Sequence, residues 1–310
     1  MSEASAVAGS TGLRGSLRQD APLAPYTSWR VGGPARCLYV PADLEDLAAF
    51  LASLPPGEPV FWLGLGSNVL VRDGGIPGTV ILTAGALGRI ELTAEGRVRV
   101  EAGVACAKVA RFAARRGLEG AEFLAGIPGT MGGALVMNAG AWGGETWALV
   151  DRVETLDRAG RLRERPAADY RPAYRTVRGP SGEWFAAAHL RLPAGDPSAA
   201  TARIRDLLRR RAESQPLGQP SCGSVFRNPP GDFAGRLVES CGLKGLRVGG
   251  AGVSEKHANF IVNLGGATAA DIEALVRRVR DTVERTHGVR LETEVKVVGR
   301  PLGPGGEPAR

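Results

Sequence analysis

Residues 119–145 read EGAEFLAGIPGTMGGALVMNAGAWGGE, with glycine at 120, 126, 129, 132, 133, 140, 143 and 144 and almost no charge. Glycine at this density is costly, because each one gives up more backbone freedom on folding than any other residue. Phe123, Leu124, Ile127, Met131, Leu135, Met137 and Trp142 are interleaved with it, so the stretch is not a flexible Gly/Ser linker. It matches neither a helix nor a strand pattern. Backbone that must come close to a ligand, with its N–H groups turned toward a phosphate or diphosphate, accounts for the composition. Tight turns in a buried loop are the competing explanation.

A second glycine stretch weighs in favour of the ligand. Residues 63–71 read LGLGSNVLV, and Gly64 and Gly66 directly follow the strand-like Val60, Phe61, Trp62 and Leu63. The dinucleotide fingerprint needs a third glycine where Val69 stands, then a helix. Another strand-like run follows instead, so this is not a Rossmann turn. The absence of Gly-Lys-Ser/Thr excludes a P-loop. Two glycine loops with no helix behind the first point to a different nucleotide-cofactor fold.

The remaining composition narrows the function classes. A 310-residue chain that is 44% hydrophobic can bury a real core and divide into two or three units. Net charge is +7, with pI about 9.7, and nearly all of the positive charge is arginine. Arg209-Arg210-Arg211 and Arg277-Arg278 have no interleaved aromatics, so they read as helix faces rather than a nucleic-acid surface. The excess positive charge suits an anionic substrate. Cys37, Cys106, Cys222 and Cys241 form no CxxC pair, and His189, His257 and His287 are dispersed, so no metal site is expected. No signal core or membrane span is found, which leads to the expectation of a cytoplasmic protein; a monomer or weak oligomer is expected.

In chain order, residues 1–22 are small and polar and are expected to be a disordered tail. A strand is expected at 37–40, then a helix from Asp43 carrying Leu44, Leu47, Ala48 and Leu51 on one face. Short strands at 60–64, 69–71 and 79–82 precede a hairpin over 90–101 and a helix over 105–116. Beyond the glycine loop, strands at 149–156 and 184–192 flank an arginine-rich loop, and residues 201–211 are amphipathic. A helix near 233–241, a strand at 259–263, a helix capped by Thr268 with Asp271 three residues on, and a strand at 291–298 complete the chain. Residues 23–192 form the expected nucleotide-cofactor domain, 200–300 a C-terminal domain, and 301–310 a tail.

Taken together, the motifs resemble the UDP-N-acetylenolpyruvoylglucosamine reductase family over about residues 26–299. The resembling segments are 27–35, LGLGSNVLVRDGG, GIPGTMGGALVMNAGAWGGE, Tyr174-Arg175, GSVFRNP, GLKG at 242–245, VSEKHANFIVN and LETEV at 291–295. The resemblance implies an α+β fold: two FAD-binding subdomains of the vanillyl-alcohol-oxidase (PCMH) type, plus a C-terminal α+β substrate-binding domain. The short stretch between Phe226 and Lys244 resembles the subclass without a substrate-covering insertion. The implied cofactor is noncovalent FAD, with NADPH as co-substrate and a UDP-sugar enolpyruvyl ether as substrate. The implied reaction adds hydride to the terminal carbon of the enolpyruvyl group. Charge then builds on the neighbouring carbon and its carboxylate, so the site needs cations, donors and a proton source.

Residue by residue, Ser224 matches the family's proton donor and Arg175 its carboxylate-binding arginine, whose fork can take a carboxylate in two parallel bonds. Arg171, which follows Tyr170, competes for that role, although Ala173-Tyr174-Arg175-Thr176 follows the pattern better. Glu294 matches the family's glutamate and is expected on a strand face shared with Glu292, with Leu291, Val295 and Val297 off that face. A neighbouring substrate carboxylate is expected to raise its pKa and let it donate a hydrogen bond. The FAD wall is expected from the backbone of Gly64, Leu65, Gly66, Ser67 and Asn68, with side-chain hydrogen bonds from Ser67 and Asn68. Gly126, Ile127, Pro128, Gly129, Thr130, Gly132 and Gly133 are expected to face it, with Asn138, Ala139 and Gly140 continuing the wall. Tyr174, Arg227, Asn228, Lys244, Lys256 and His257 are further substrate or phosphate candidates. His257 reads equally as a structural hydrogen bonder.

Two alternatives remain at this level. Another flavoprotein oxidase of the same fold would keep the glycine loops but has no reason for GSVFRNP or LETEV. A non-catalytic nucleotide- or RNA-binding protein would bind no flavin.

Overall fold

The structure is a computed structural model that describes residues 12–303, with 305 and 307. The disorder expected at 1–11, and part of the tail expected at 301–310, lie outside the described residues. The first unit is a four-stranded sheet in the order β1 (Ser16–Pro22), β2 (Pro34–Val40), β5 (Ile76–Leu82), β3 (Val60–Leu63). Only the β1–β2 pair is antiparallel; β5 runs parallel to both β2 and β3. Helix α1 (Leu44–Ser53) begins where the Asp43 carboxylate accepts from the Asp46 N–H, and it buries Leu47, Phe50 and Leu51. The tail expected through residue 22 is corrected here. Residues 16–22 form an edge strand that pairs along β2, with Ala21 as its one buried residue.

Between β3 and β4 (Val69–Val71) lies the first glycine turn, with a strand and not a helix behind it. The second unit is an antiparallel sheet in the order β11 (Leu162–Pro166), β10 (Val150–Asp157), β14 (Glu183–Leu190), β7 (Val98–Glu101), β6 (Ile90–Leu92). Its apolar face, including Val98, Val100, Val153 and Leu190, packs against α2 (Cys106–Arg115) and α3 (Met131–Met137). Helix α3 lies inside the glycine stretch, where no helix was expected. Thr130 accepts from the Gly133 N–H at its start, Asn138 at φ 40° ends it, and Met131, Ala134 and Leu135 are buried. Packing supplies what its two glycines lack in propensity. The hairpin of β8 (Gly140–Ala141) and β9 (Gly144–Glu145) follows. The arginine-rich loop is itself a hairpin, β12 (Arg171–Ala173) with β13 (Thr176–Arg178), and Tyr174 and Arg175 form its turn.

Helix α4 (Pro197–Ser214) was expected within a C-terminal unit starting at 200. Its Ala200 and Ile204 instead join the core of the second unit. The third core begins after residue 215 and holds α5 (Ala234–Ser240), the antiparallel strands β15 (Arg247–Val248), β16 (Ala251–Val253) and β17 (Ile261–Asn263), and α6 (Ala269–His287). Thr268 and Asp271 make the expected capping box of α6. Trp29, fully buried, is stitched into this third core: its indole N–H donates to the Ile261 carbonyl at 2.7 Å.

The final strand is shorter than expected. Only β18 (Lys296–Val298) is regular, running parallel to β4, while residues 291–295 form no strand: Thr293 is bridged to Phe226 and Val295 lies in a bend. Val297, expected off the Glu294 face with Leu291 and Val295, is exposed, whereas those two are buried.

Candidate active site

The first turn exposes its backbone in the way a phosphate-binding nest requires. Among the described residues, the N–H groups of Gly64, Leu65, Gly66, Ser67 and Asn68 have no protein acceptor. Gly66 sits at φ 58°, and a Cβ there would lie 2.2 Å from the Tyr26 carbonyl oxygen, so no other residue makes this turn without shifting backbone. A Cβ on Gly64 would lie 2.5 Å from the Thr130 hydroxyl oxygen, and one on Gly129 would lie 3.6 Å from that of Ser67. The two glycine loops therefore face one another directly. A bound diphosphate finds five unspent donors on one wall and glycine backbone on the other, and these residues fit FAD.

The second loop contributes fewer donors than expected. Ile127 donates to Leu124, Gly129 to Ile127, Met131 to Val104 and Gly132 to Ala102. Gly126 is glycine for another reason: the Trp142 ring lies where its Cβ would be, at 2.1 Å. Pro128 has no N–H, which leaves the Thr130 N–H and the open side of Gly133 as the groups this loop can offer. Asn138 is only 2% exposed and does not face outward. Its amide N–H₂ donates to Glu145 at 2.9 Å and to the Ala173 carbonyl at 3.4 Å, and its oxygen accepts from the Trp147 N–H. Asn138 thereby anchors the hairpin that carries Arg175. Ala139 is likewise engaged by Thr146, whose hydroxyl donates to its carbonyl. Asn68 was expected to aim its side chain at FAD, but its amide donates to the Glu294 carbonyl at 3.3 Å.

Two of the catalytic candidates, Arg175 and Glu294, are in direct contact, and Arg227 joins them. Arg175 occupies the hairpin turn at φ 55°, a left-handed conformation that is strained for a non-glycine residue. Its Nε donates to Glu294 Oε1 at 2.8 Å and its Nη2 to the Gly140 carbonyl at 3.2 Å. The Arg175 carbonyl accepts from Arg227 Nη2 at 3.2 Å. Arg171 is exposed at the start of β12, so of the two arginines it is Arg175 that reaches Glu294. Tyr174 is also exposed, with its ring centroid 5.0 Å from the Arg175 guanidinium carbon.

Glu294 is largely buried, and burial pushes its pKa above the ordinary glutamate value, while Arg175 and Arg227 pull in the other direction and only partly offset it. Its N–H donates to the Val225 carbonyl at 2.8 Å, which sets the acid across from the segment that starts at Ser224. Ser224 follows Gly223, itself at φ 70°, and its hydroxyl has no protein partner among the described residues. Arg227 Nε is buried and also lacks a partner. Arg175, Glu294 and Arg227 therefore form one connected cluster with an unspent guanidinium donor, and a backbone bond from Glu294 ties it to Val225, the residue after Ser224.

The other candidates have different partners. Asn228 accepts from the Ala234 N–H at the start of α5, and Lys244 pairs with Glu239 at 2.6 Å. Lys256 donates to the Ala212 carbonyl and lines a separate cleft of about 390 Å³ beside Gln215 and Arg247. His257 packs on Phe260, and its Nδ1 accepts from the Asn259 N–H. Burial lowers its pKa, so it stays neutral at physiological pH. Sequence reasoning missed Asn259, which is 4% exposed and bonded to the residues just after Ser224. Its signal was an asparagine at the head of the apolar run Phe260, Ile261 and Val262. No group of three or more His, Cys, Asp or Glu among the described residues could hold a metal, and no described helix is long and apolar enough to cross a membrane.

Comparison with known proteins agrees with this geometry. Residues 35–164 match the FAD binding domain family, and residues 215–298 match the C-terminal domain of UDP-N-acetylenolpyruvoylglucosamine reductase. The chain is 62% identical over 285 residues to UDP-N-acetylenolpyruvoylglucosamine reductase of Alkalilimnicola ehrlichii, covering 92% of this chain and 95% of that one. It is 62% identical over 286 residues to the protein of the same name in Methylococcus capsulatus, covering 92% and 94%. The crystal structure of UDP-N-acetylenolpyruvylglucosamine reductase from Thermus caldophilus superposes with TM-score 0.79 at 38% identity, over 92% of this chain and 98% of that one.

Proposed function

The chain belongs to the UDP-N-acetylenolpyruvoylglucosamine reductase family, and from that premise we propose that Arg175, Glu294 and Ser224 carry its chemistry. The enzyme is an FAD-dependent oxidoreductase that uses NADPH to reduce UDP-N-acetylglucosamine enolpyruvate to UDP-N-acetylmuramate in peptidoglycan precursor synthesis. The 2.8 Å contact between Arg175 and Glu294, both mostly buried, carries the assignment.

When bound, FAD would supply hydride-transfer chemistry between NADPH and the enolpyruvyl group. The Gly64–Asn68 amides would hold its diphosphate. Arg175 keeps N–H groups beyond those given to Glu294 and Gly140, and these grip the substrate carboxylate. A second carboxylate beside Glu294 raises its pKa further, since two like charges in a buried site cannot both ionise cheaply. Protonated, Glu294 donates a hydrogen bond to the charge that develops on the substrate, and the Arg227 guanidinium stabilises the same charge. The Ser224 hydroxyl then delivers a proton to the carbon next to the carboxylate, and neighbouring cations stabilise the alkoxide left behind. Dependence on NADPH and a UDP-sugar supports the cytoplasm as the place of action.

An anaerobic visible spectrum tests this reading. Flavin absorption should bleach with NADPH and return on adding UDP-N-acetylglucosamine enolpyruvate. Bleaching without return would leave a flavoprotein with a different oxidant. A protein that stays colourless after incubation with FAD would contradict the cofactor site itself.

A further inference from the structure

Residues 225–227, bridged at Phe226 to Thr293, have hydrogen-bond partners on both sides. On one edge, Glu294 N–H donates to the Val225 carbonyl and Arg227 N–H to the Glu292 carbonyl. On the other edge a single residue does the work of a strand. Asn259 accepts from the Val225 N–H with its backbone carbonyl at 2.9 Å, and from the Phe226 N–H with its side-chain oxygen at 2.9 Å. Its side-chain N–H₂ donates back to the Phe226 carbonyl at 2.8 Å. Asn259 is 4% exposed and Phe226 is 2% exposed, so water cannot replace these bonds. Asn259 is itself fixed, because its N–H donates to His257 Nδ1 within a turn closed by Phe260 N–H to the His257 carbonyl.

Ser224 is the residue immediately before this clamped pair, and its hydroxyl is held by no other protein group among the described residues. Its orientation therefore derives from the backbone of Val225 and Phe226. We propose that Asn259 is a positioning residue for proton delivery: its side-chain amide fixes the peptide following Ser224, and so aims the hydroxyl at the carbon beside the Arg175-bound carboxylate. The proposal rests on Ser224 being the proton donor. A misplacement of about 1 Å at a reacting group costs on the order of 10²-fold in rate. The loss should fall only on the half-reaction that needs the proton.

The test follows both half-reactions anaerobically in stopped flow, with the holoenzyme and its Asn259→Ala, Asn259→Asp, Ser224→Ala and Asn259→Ala/Ser224→Ala variants. Asn259→Asp keeps the oxygen that accepts from Phe226 N–H and loses the donor, which provides a milder variant should alanine not fold. Flavin reduction by NADPH should stay within about threefold of wild type, while reoxidation by the enolpyruvyl substrate falls by about 10² in Asn259→Ala and by less in Asn259→Asp. In the Ser224→Ala background the Asn259 substitution should add no further loss, because a residue acting through Ser224 has nothing left to position. Equal slowing of both half-reactions, or the same additional loss without Ser224, overturns the proposal and leaves Asn259 purely structural. Reoxidation at the wild-type rate in Ser224→Ala alone overturns the proton-donor reading beneath it.

Discussion

Arg175 Nε and Glu294 Oε1 lie 2.8 Å apart although 119 residues separate them in sequence. One comes from the left-handed turn of a hairpin, the other from the segment just before the last strand. Both are mostly buried, so the pair is held in a medium where charge interactions are strong and an unpaired charge is costly.

The first prediction concerns the protonation state of Glu294. Its pKa lies above the ordinary value of 4.5 because burial outweighs Arg175 and Arg227. The protonated form is the hydrogen-bond donor, so reoxidation is at its full rate below that raised pKa and is lost as pH rises through it. Glu294→Gln stays neutral at every pH and should remove this limb of the pH–rate profile. Glu294→Ala should lower reoxidation by about 10²-fold or more. An unchanged alkaline limb in the glutamine variant would show that another group titrates there.

The second prediction concerns the FAD turn. Gly66→Ala forces a Cβ against the Tyr26 carbonyl at a φ that side chains rarely adopt. The variant should bind FAD at least about tenfold more weakly, or about 1.4 kcal/mol. The flavin-to-protein absorbance ratio after dialysis reports this. A wild-type ratio would mean that the turn does not hold the cofactor.

The third prediction concerns stability. Burial pushes the Glu154 acid up, but His189 and the paired Arg99 guanidinium outweigh it and hold the pKa at about 2. A folded pKa below the unfolded 4.5 contributes stability that is present above 4.5 and lost as pH falls through about 2. Glu154→Gln should cost about 3 kcal/mol at pH 7 by breaking a buried pair. The gap to wild type in urea denaturation should narrow steadily below pH 4.5. A gap that does not change with pH would assign the loss to packing.

Much of this site is legible in the sequence, for identifiable reasons. The glycines at 64 and 66 declare a turn that no side chain tolerates, and the strand-like residues after them rule out a Rossmann helix. Arg175 and Glu294 could be named because each sits in a specific motif, although nothing in their spacing shows that they touch. Strand β1 was not visible because its pairing is with residues 34–40 and its inward side holds only the half-buried Leu17 and the buried Ala21, with the polar Gln19 between them, which leaves too weak a period-2 signal. Helix α3 was hidden by its glycines, since tertiary packing of Met131, Ala134 and Leu135 overrides propensity. Asn138 and Asn68 read as cofactor ligands because a side chain's partner across the fold leaves no trace in local sequence. The structure gives both to the backbone that carries Arg175 and Glu294.

The most direct test of the central claim is a two-step anaerobic titration of Ser224→Ala beside wild type, followed at the flavin absorption band. The variant should retain FAD and bleach with NADPH at close to the wild-type rate. It should then recover its colour with UDP-N-acetylglucosamine enolpyruvate at least about 10²-fold more slowly. Recovery at the wild-type rate would contradict the assignment of the proton donor. Loss of NADPH bleaching as well would show that Ser224 serves the cofactor site rather than the substrate carbon.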